Sequence, residues 1–336
     1  MAAADARTLS AQTTPRSPSN AHGRLNARTD GHFVATYHYI RERNTDGVTG
    51  ITPVEFAQQV RAIAAAFHVV TVAEFAAQHR RTTGLALITF DDALRDQWRA
   101  AEILDSLRLP GVFFAPMRPY SQEADRWCPQ HLLHALAEHL GWAKLERSLA
   151  PYLAEVTIDT AEADRLYHYE VPHKRALKYA LAFALPAERT AQILREVNAD
   201  VGLLASEWYL RADQLVKLED AGHALGGHGF DHVPYSRLTP QAQAADMHRA
   251  LRTMQAVCGA RPRPIAYPFG GCDEATESIA AACGHTIGFT TANRIDAKFV
   301  LEELARPASR QGDRALTIRA ERGRRVAHAV ELEEPR

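Results

Sequence analysis

Residues 85–92 read LALITFDD. The apolar, β-rich run Leu85–Phe90 is expected to be a short strand, and the two adjacent aspartates Asp91 and Asp92 end it. Upstream, HFVATYHY (32–39) reads as a strand. Residues 52–67 read as a helix with Thr52 as N-cap and Pro53 in the first position, followed by a short strand at 68–72 and a short helix through Gln78. Downstream, residues 96–107 carry apolar side chains at helical spacing, and GVFFA (111–115) reads as another buried strand. After an interruption the rhythm resumes: helix 211–221, strand 224–227, helix 239–258 opened by Pro240, strand 264–267, helix 273–283 and strand 286–290. Repeated β-α units predict a mostly parallel sheet with helices outside it, either a barrel or an open sheet. Active sites in such folds lie at the carboxyl ends of the strands, so catalytic residues are expected just after strands.

The interruption, at about 120–206, holds helical patterns at 129–140, 174–185 and 187–197 and few strand signals. It reads either as a decoration on one βα loop or as a lid that shapes substrate access. The chain divides into an arm at 1–30, a catalytic domain at 31–310 that includes the insertion, and a charged tail at 311–336 that is expected to fray.

Of the 336 residues, 46% are apolar, enough for a substantial core. With 39 basic and 40 acidic side chains the net charge is −1, which gives no electrostatic case for a nucleic acid or an anionic membrane as partner. No apolar run approaches the ~20 residues that span a bilayer. The N-terminal arm lacks the apolar segment of a secretory signal. The four cysteines (Cys128, Cys258, Cys272, Cys283) are scattered and read as reduced thiols. A cytoplasmic protein is the expectation.

Three segments carry chemistry. Asp91 and Asp92 stand where an α/β fold places its active site. Two adjacent carboxylates repel, so the pair calls for a reason, although an Asp-rich N-cap of the next helix is an alternative. HGFDH (228–232) follows the strand-like ALGG and holds two histidines four apart. Sixteen histidines would give roughly one such spacing by chance, so surface or capping histidines remain an alternative. Taken together, two imidazoles and one carboxylate make a facial triad on a divalent metal, and the second carboxylate can take the proton of a water activated there. YPFGG (267–271) also follows a strand; a backbone N–H near Phe269 is placed to steady an oxyanion, or the segment is an ordinary Pro-Gly turn.

TFDDA (89–93), GGHGFDH (226–232) and AYPFGG (266–271), in this order, resemble the signature segments of the polysaccharide deacetylases, over about residues 33–308. The helical insertion is similar to that of one subgroup. The resemblance implies a deformed parallel (β/α) barrel. It implies Asp91 as general base, and Asp92, His228 and His232 as ligands of a divalent metal, zinc first, with cobalt, nickel or manganese as alternatives. It implies Tyr267, Pro268, Phe269 and Gly270 as groove wall and oxyanion-stabilising backbone.

The expected reaction is hydrolysis of an N-acetyl group on an amino sugar, either a small molecule or an oligosaccharide. Hydrolysis of another small amide (a formamide or cyclic ureide) and sugar binding without turnover are the alternatives. There are departures from the family pattern. Ala93 stands where many relatives have glycine, and is strained if that position needs a positive φ. Ala266 replaces an arginine that often orients the base, with Arg306 as a substitute candidate. The late Leu-x-His segment that supplies the general acid is not visible, which leaves His38 on the first strand as a candidate.

Overall fold

A computed structural model of the chain describes residues 32–291, apart from 46, 168, 169, 260, 261 and 263, together with the backbone of short strands between 314 and 331. The arm at 1–30 and Arg306 lie outside the described residues. In chain order the first elements are β1 (His32–Tyr37), α1 (Pro53–Ala66), β2 (His68–Val69), α2 (Val72–Gln78), β3 (Leu85–Asp91), α3 (Gln97–Leu107) and β4 (Val112–Ala115). Five helices follow: α4 (Pro129–Leu140), α5 (Trp142–Leu153), α6 (Thr160–Leu166), α7 (Pro172–Tyr179) and α8 (Ala187–Ala199). The rhythm then returns with α9 (Ala212–Asp220), β5 (Ala224–Gly227), α10 (Pro240–Cys258), β6 (Pro264–Ala266), α11 (Glu274–Ala282) and β7 (Ile287–Phe289). Local chemistry sets the boundaries. Thr52 accepts the Glu55 N–H while Glu55 reaches back to the Thr52 N–H, and Pro53 opens α1.

The strands form one curled parallel sheet, a half-barrel in the order β7-β6-β5-β4-β3-β1, with β2 paired to the start of β3. Its side chains alternate with period two. Phe33, Ala35 and Tyr37 of β1, Ala86, Ile88 and Phe90 of β3, and Phe113 and Ala115 of β4 pack outward against α1, α3, α9 and α10. Val34, Leu85, Leu87, Val112, Phe114, Ile287 and Phe289 form a separate inner cluster, joined by Phe75 of α2. Both faces are apolar, which is why β3 reads as a continuous apolar run rather than as an alternating one. Beyond Gln311, where a charged tail was expected, Arg314–Ile318 pairs antiparallel with β1 and Ala329–Glu331 with β7. These strands cover the two sheet edges, whose N–H and C=O groups would otherwise lack partners.

The insertion between β4 and β5 has its own core, built on Trp127, Leu133, Leu136, Leu145, Leu149 and Ile193. The helical pattern at 174–185 appears as α7 running into a π-turn at Ala180–Ala184. One face of α4 fastens the insertion to the barrel. At spacings of three and four along that helix, His131 faces Asp92 (3.1 Å), His134 pairs with the Tyr39 hydroxyl (2.9 Å), and Glu138 accepts from Arg41 (2.9 Å). Arg41 also donates to Asp96 (3.0 Å) at the end of the β3 turn, so the contact is polar. Among the described residues no helix is long and apolar enough to cross a membrane.

Candidate functional site

The carboxyl ends of β1, β3, β5 and β6 open onto one pole of the half-barrel, and the predicted residues gather there. Asp92, 4% exposed, directs its carboxylate inward from the turn after β3. His232 Nε2 stands 3.0 Å from Asp92 Oδ1, His131 Nε2 3.1 Å and His228 Nε2 3.4 Å. The ligand atoms of Asp92, His131 and His232 lie within 4.8 Å of one another. Asp92 Oδ1 and His131 Nε2 are both shielded from solvent, and neither has hydrogen-bond geometry to a protein group. Buried polar atoms are ordinarily paired, so two that converge without bonding call for a third party. Donors that share a tetrahedral ion at about 2.0–2.2 Å stand roughly 3.3–3.6 Å apart, and the three imidazole nitrogens lie 3.0, 3.1 and 3.4 Å from Asp92 Oδ1. One carboxylate and a set of imidazoles, all buried, are donors that fit a divalent metal.

The electrostatics agree. Burial opposes the Asp92 charge, but the imidazoles of His131 and His232 outweigh it and hold the carboxyl well below the usual range. Burial pushes His232 down to about 3 against the pull of Asp92, so its ring is neutral. His228 goes the other way: burial opposes its charge, yet Asp92 and Asp91 raise it. Its Nδ1 lies 2.7 Å from the Ala266 carbonyl, which directs Nε2 at Asp92. Asp91, at the end of β3, is pushed above the usual carboxylate range by burial, against the His228 and His38 imidazoles. His38 Nε2 is 3.8 Å from Asp91 Oδ2.

Several supports were not singled out in the sequence. Gln97 is fully buried and donates its amide N–H to the carbonyls of His38 and Asp91, tying the ends of β1 and β3 together. Asp246 on α10 accepts the N–H groups of Phe230 (2.6 Å) and Asp231 (3.2 Å) and the Tyr235 hydroxyl (3.2 Å), which fixes the HGFDH loop. His131 lies on a predicted helix, but no spacing relates it to Asp92. The one sequence signal for Asp246 and Gln97 would have been a polar side chain on the buried face of an amphipathic helix.

Backbone strain concentrates here. Among the described residues five non-glycine residues have positive φ, and four are at the site: Asp92 (80°), Ala93 (50°), His232 (55°) and Phe269 (58°). Each costs on the order of 1–3 kcal/mol, which the surrounding packing must hold in place. The strain expected at Ala93 is therefore present.

The YPFGG turn divides. Tyr267 extends β6, donating its N–H to Phe289 (3.0 Å), and its ring is buried with Tyr235, Met247 and Ile265 rather than in a groove. The strand period turns it to the outer face of the sheet, toward α10 and α11. Pro268 has no N–H, and those of Gly270 and Gly271 close the turn onto Tyr267 (2.8 Å) and Pro268 (3.0 Å). Phe269 lies over His232, ring centroids 5.1 Å apart, and meets Phe183 of the insertion at 5.5 Å. Beside them a pocket opens between insertion and barrel, lined by Pro129, Leu133, Leu181, Thr190, His232 and Phe269.

Residues 187–288 match the sequence model of the family Polysaccharide deacetylase. YxkH, a Bacillus subtilis (strain 168) protein assigned to the polysaccharide deacetylases, is 28% identical over 83 residues, 25% of this chain and 30% of its own length. Among solved structures, IcaB from Ammonifex degensii covers 78% of this chain and 84% of its own, at 18% identity and a TM-score of 0.47. The Streptococcus pyogenes deacetylase PplD, in complex with acetate, covers 77% and 82% at 14% identity and a TM-score of 0.46.

Two predictions follow from the geometry. Ala93 and Ala115 are both fully buried, but only Ala93 is left-handed. In urea unfolding, Ala93→Gly is expected to cost about 1–2 kcal/mol less than Ala115→Gly, because glycine relieves the strain at 93 alone. Equal costs would contradict strain at Ala93. For Asp246, burial raises the folded pKa to about 6 from an ordinary 3.8. The folded state then binds the extra proton between those values. Wild-type stability relative to Asp246→Asn should therefore fall as pH rises from about 4 to about 6 and stay flat outside that window. Unfolding curves across pH 3–8 measure it.

Proposed function

We propose that the chain, whose residues 187–288 match the polysaccharide deacetylase model, is a member of that family that removes an N-acetyl group from an amino sugar by metal-assisted hydrolysis. The observation that carries this reading is the gathering of imidazole nitrogens around the buried Asp92 Oδ1, with the second carboxylate, Asp91, one residue away. Asp92, His228 and His232 would hold the ion, in keeping with the family resemblance. A divalent ion bound there supplies Lewis-acid polarisation of the acyl carbonyl and lowers the pKa of a water toward neutrality.

The remaining work belongs to the chain. Asp91 takes the proton of the attacking water, and its raised pKa brings it nearer the working pH of a base. Gln97 fixes the backbone carbonyl of Asp91 and so its aim. His38, beside Asp91 and with its side chain 32% exposed, is the titratable group placed to pass a proton to the departing nitrogen. Of the YPFGG amides the one left for the oxyanion is that of Phe269, as Tyr267, Gly270 and Gly271 are engaged. The apolar walls beside His232 suit an acyl methyl and the apolar face of a sugar ring. The four free cysteines support a reducing, cytoplasmic setting with a soluble substrate.

Acetate release from N-acetylated amino sugars, measured with metal content, tests the reading. Asp91→Asn should keep about one divalent ion per chain and lose turnover by ~10²–10⁴-fold, whereas Asp92→Ala should lose both. Acetate release by both variants at the wild-type rate would contradict it.

A further inference from the structure

Resting on the metal-dependent reading above, we propose that His131, on the first helix of the insertion, is a further ligand to the same ion, which makes the insertion a built part of the metal centre. His131 is 1% exposed, and its Nε2 stands as near to Asp92 Oδ1 (3.1 Å) as does that of His232 (3.0 Å). The His131 and His232 rings lie 4.6 Å apart, closer than His228 and His232 at 4.8 Å. A buried histidine ordinarily finds a partner for each polar nitrogen. Here Nε2 has no hydrogen bond and faces a carboxylate oxygen that has none either.

The other nitrogen is held as a ligand's would be. His131 Nδ1 lies 2.8 Å from the Tyr209 hydroxyl, which also accepts the Cys128 N–H at 3.2 Å. The Tyr209 O–H can turn toward the neighbouring Cys128 thiol. Its oxygen then remains free to accept an Nδ1–H from His131, which leaves the Nε2 lone pair directed at Asp92. Tyr209 is itself fixed beside Asp92. It bridges to Leu94, Leu210 donates its N–H to the Ala93 carbonyl (2.9 Å), and Arg95 donates its N–H to the Trp208 carbonyl (2.9 Å). The chain entering the insertion (Cys128, His131) and the chain leaving it (Trp208–Leu210) are thus joined at the turn that carries Asp92.

There is a chemical consequence. Asp92, His131, His228 and His232 would be four protein donors, and a fourfold set keeps an open position only on an ion that takes five or six ligands.

The test is cobalt(II) binding by the full chain after removal of metal with a chelator, followed by titration and by X-ray absorption at the cobalt edge. The wild type should bind one cobalt with scattering from three imidazoles. His131→Gln should lose at least ~100-fold in affinity and one imidazole, and Tyr209→Phe, which keeps the ligand and removes its partner, about 10–100-fold. A wild-type spectrum with two imidazoles overturns the inference whether or not the variants fold, as does His131→Gln binding cobalt with wild-type affinity; either result leaves the metal-dependent reading standing. A wild type that binds no cobalt overturns both.

Discussion

The Asp92 carboxylate is the constraint on which the rest of the site depends. It is 4% exposed, and an ionised carboxylate taken from water costs several kcal/mol unless partners compensate. His232 and His228 come from the loop after β5 and His131 from α4, so a single buried oxygen fixes where two elements distant in sequence must end. The turn that presents this oxygen is strained at Asp92 and Ala93, and the loop that meets it is strained at His232. Such conformations persist only where surrounding contacts over-determine them.

Those contacts form a second layer of polar side chains, each acting on backbone rather than on substrate. Gln97 joins the ends of β1 and β3, Asp246 holds the two amides before His232, the Ala266 carbonyl orients His228, and Tyr209 faces His131. The parallel half-barrel supplies the frame, because every one of its strands delivers its carboxyl end to the same pole. The helical insertion is part of that pole. The face of α4 that bears His131, His134 and Glu138 is spent on the barrel, and the walls of the adjoining pocket come from both units.

Much of this was legible in the sequence, for reasons that are local. Apolar runs ending at Asp91 and Gly227 announced β3 and β5, and Thr52-Pro53 and Thr239-Pro240 announced α1 and α10 where they begin. Asp92, His228 and His232 could be paired because both segments follow strands, and strands of a parallel sheet share one end. Ala93 could be suspected because a missing glycine leaves a φ that alanine tolerates poorly. What local pattern does not carry is convergence across the chain. His131 sits 39 residues from Asp92 inside a helix whose apolar spacing accounts for it as ordinary, and its role depends on how that helix docks. Tyr267 shows the converse: its motif suggested a wall, but one more residue of strand turns the ring into the core. The strands beyond Gln311 are short and charged, and only the open edges of β1 and β7 give them a reason to form.

The central claim is that the atoms gathered at Asp92 Oδ1 are metal ligands. Anomalous diffraction from crystals grown with zinc or cobalt, recorded on both sides of the metal's absorption edge, tests it most directly. The account predicts one strong peak about 2.0–2.2 Å from Asp92 Oδ1 and from His232 Nε2. Fully formed crystals with no peak there, or with metal only at surface histidines, would contradict it and leave the cluster as an ion pair within the core.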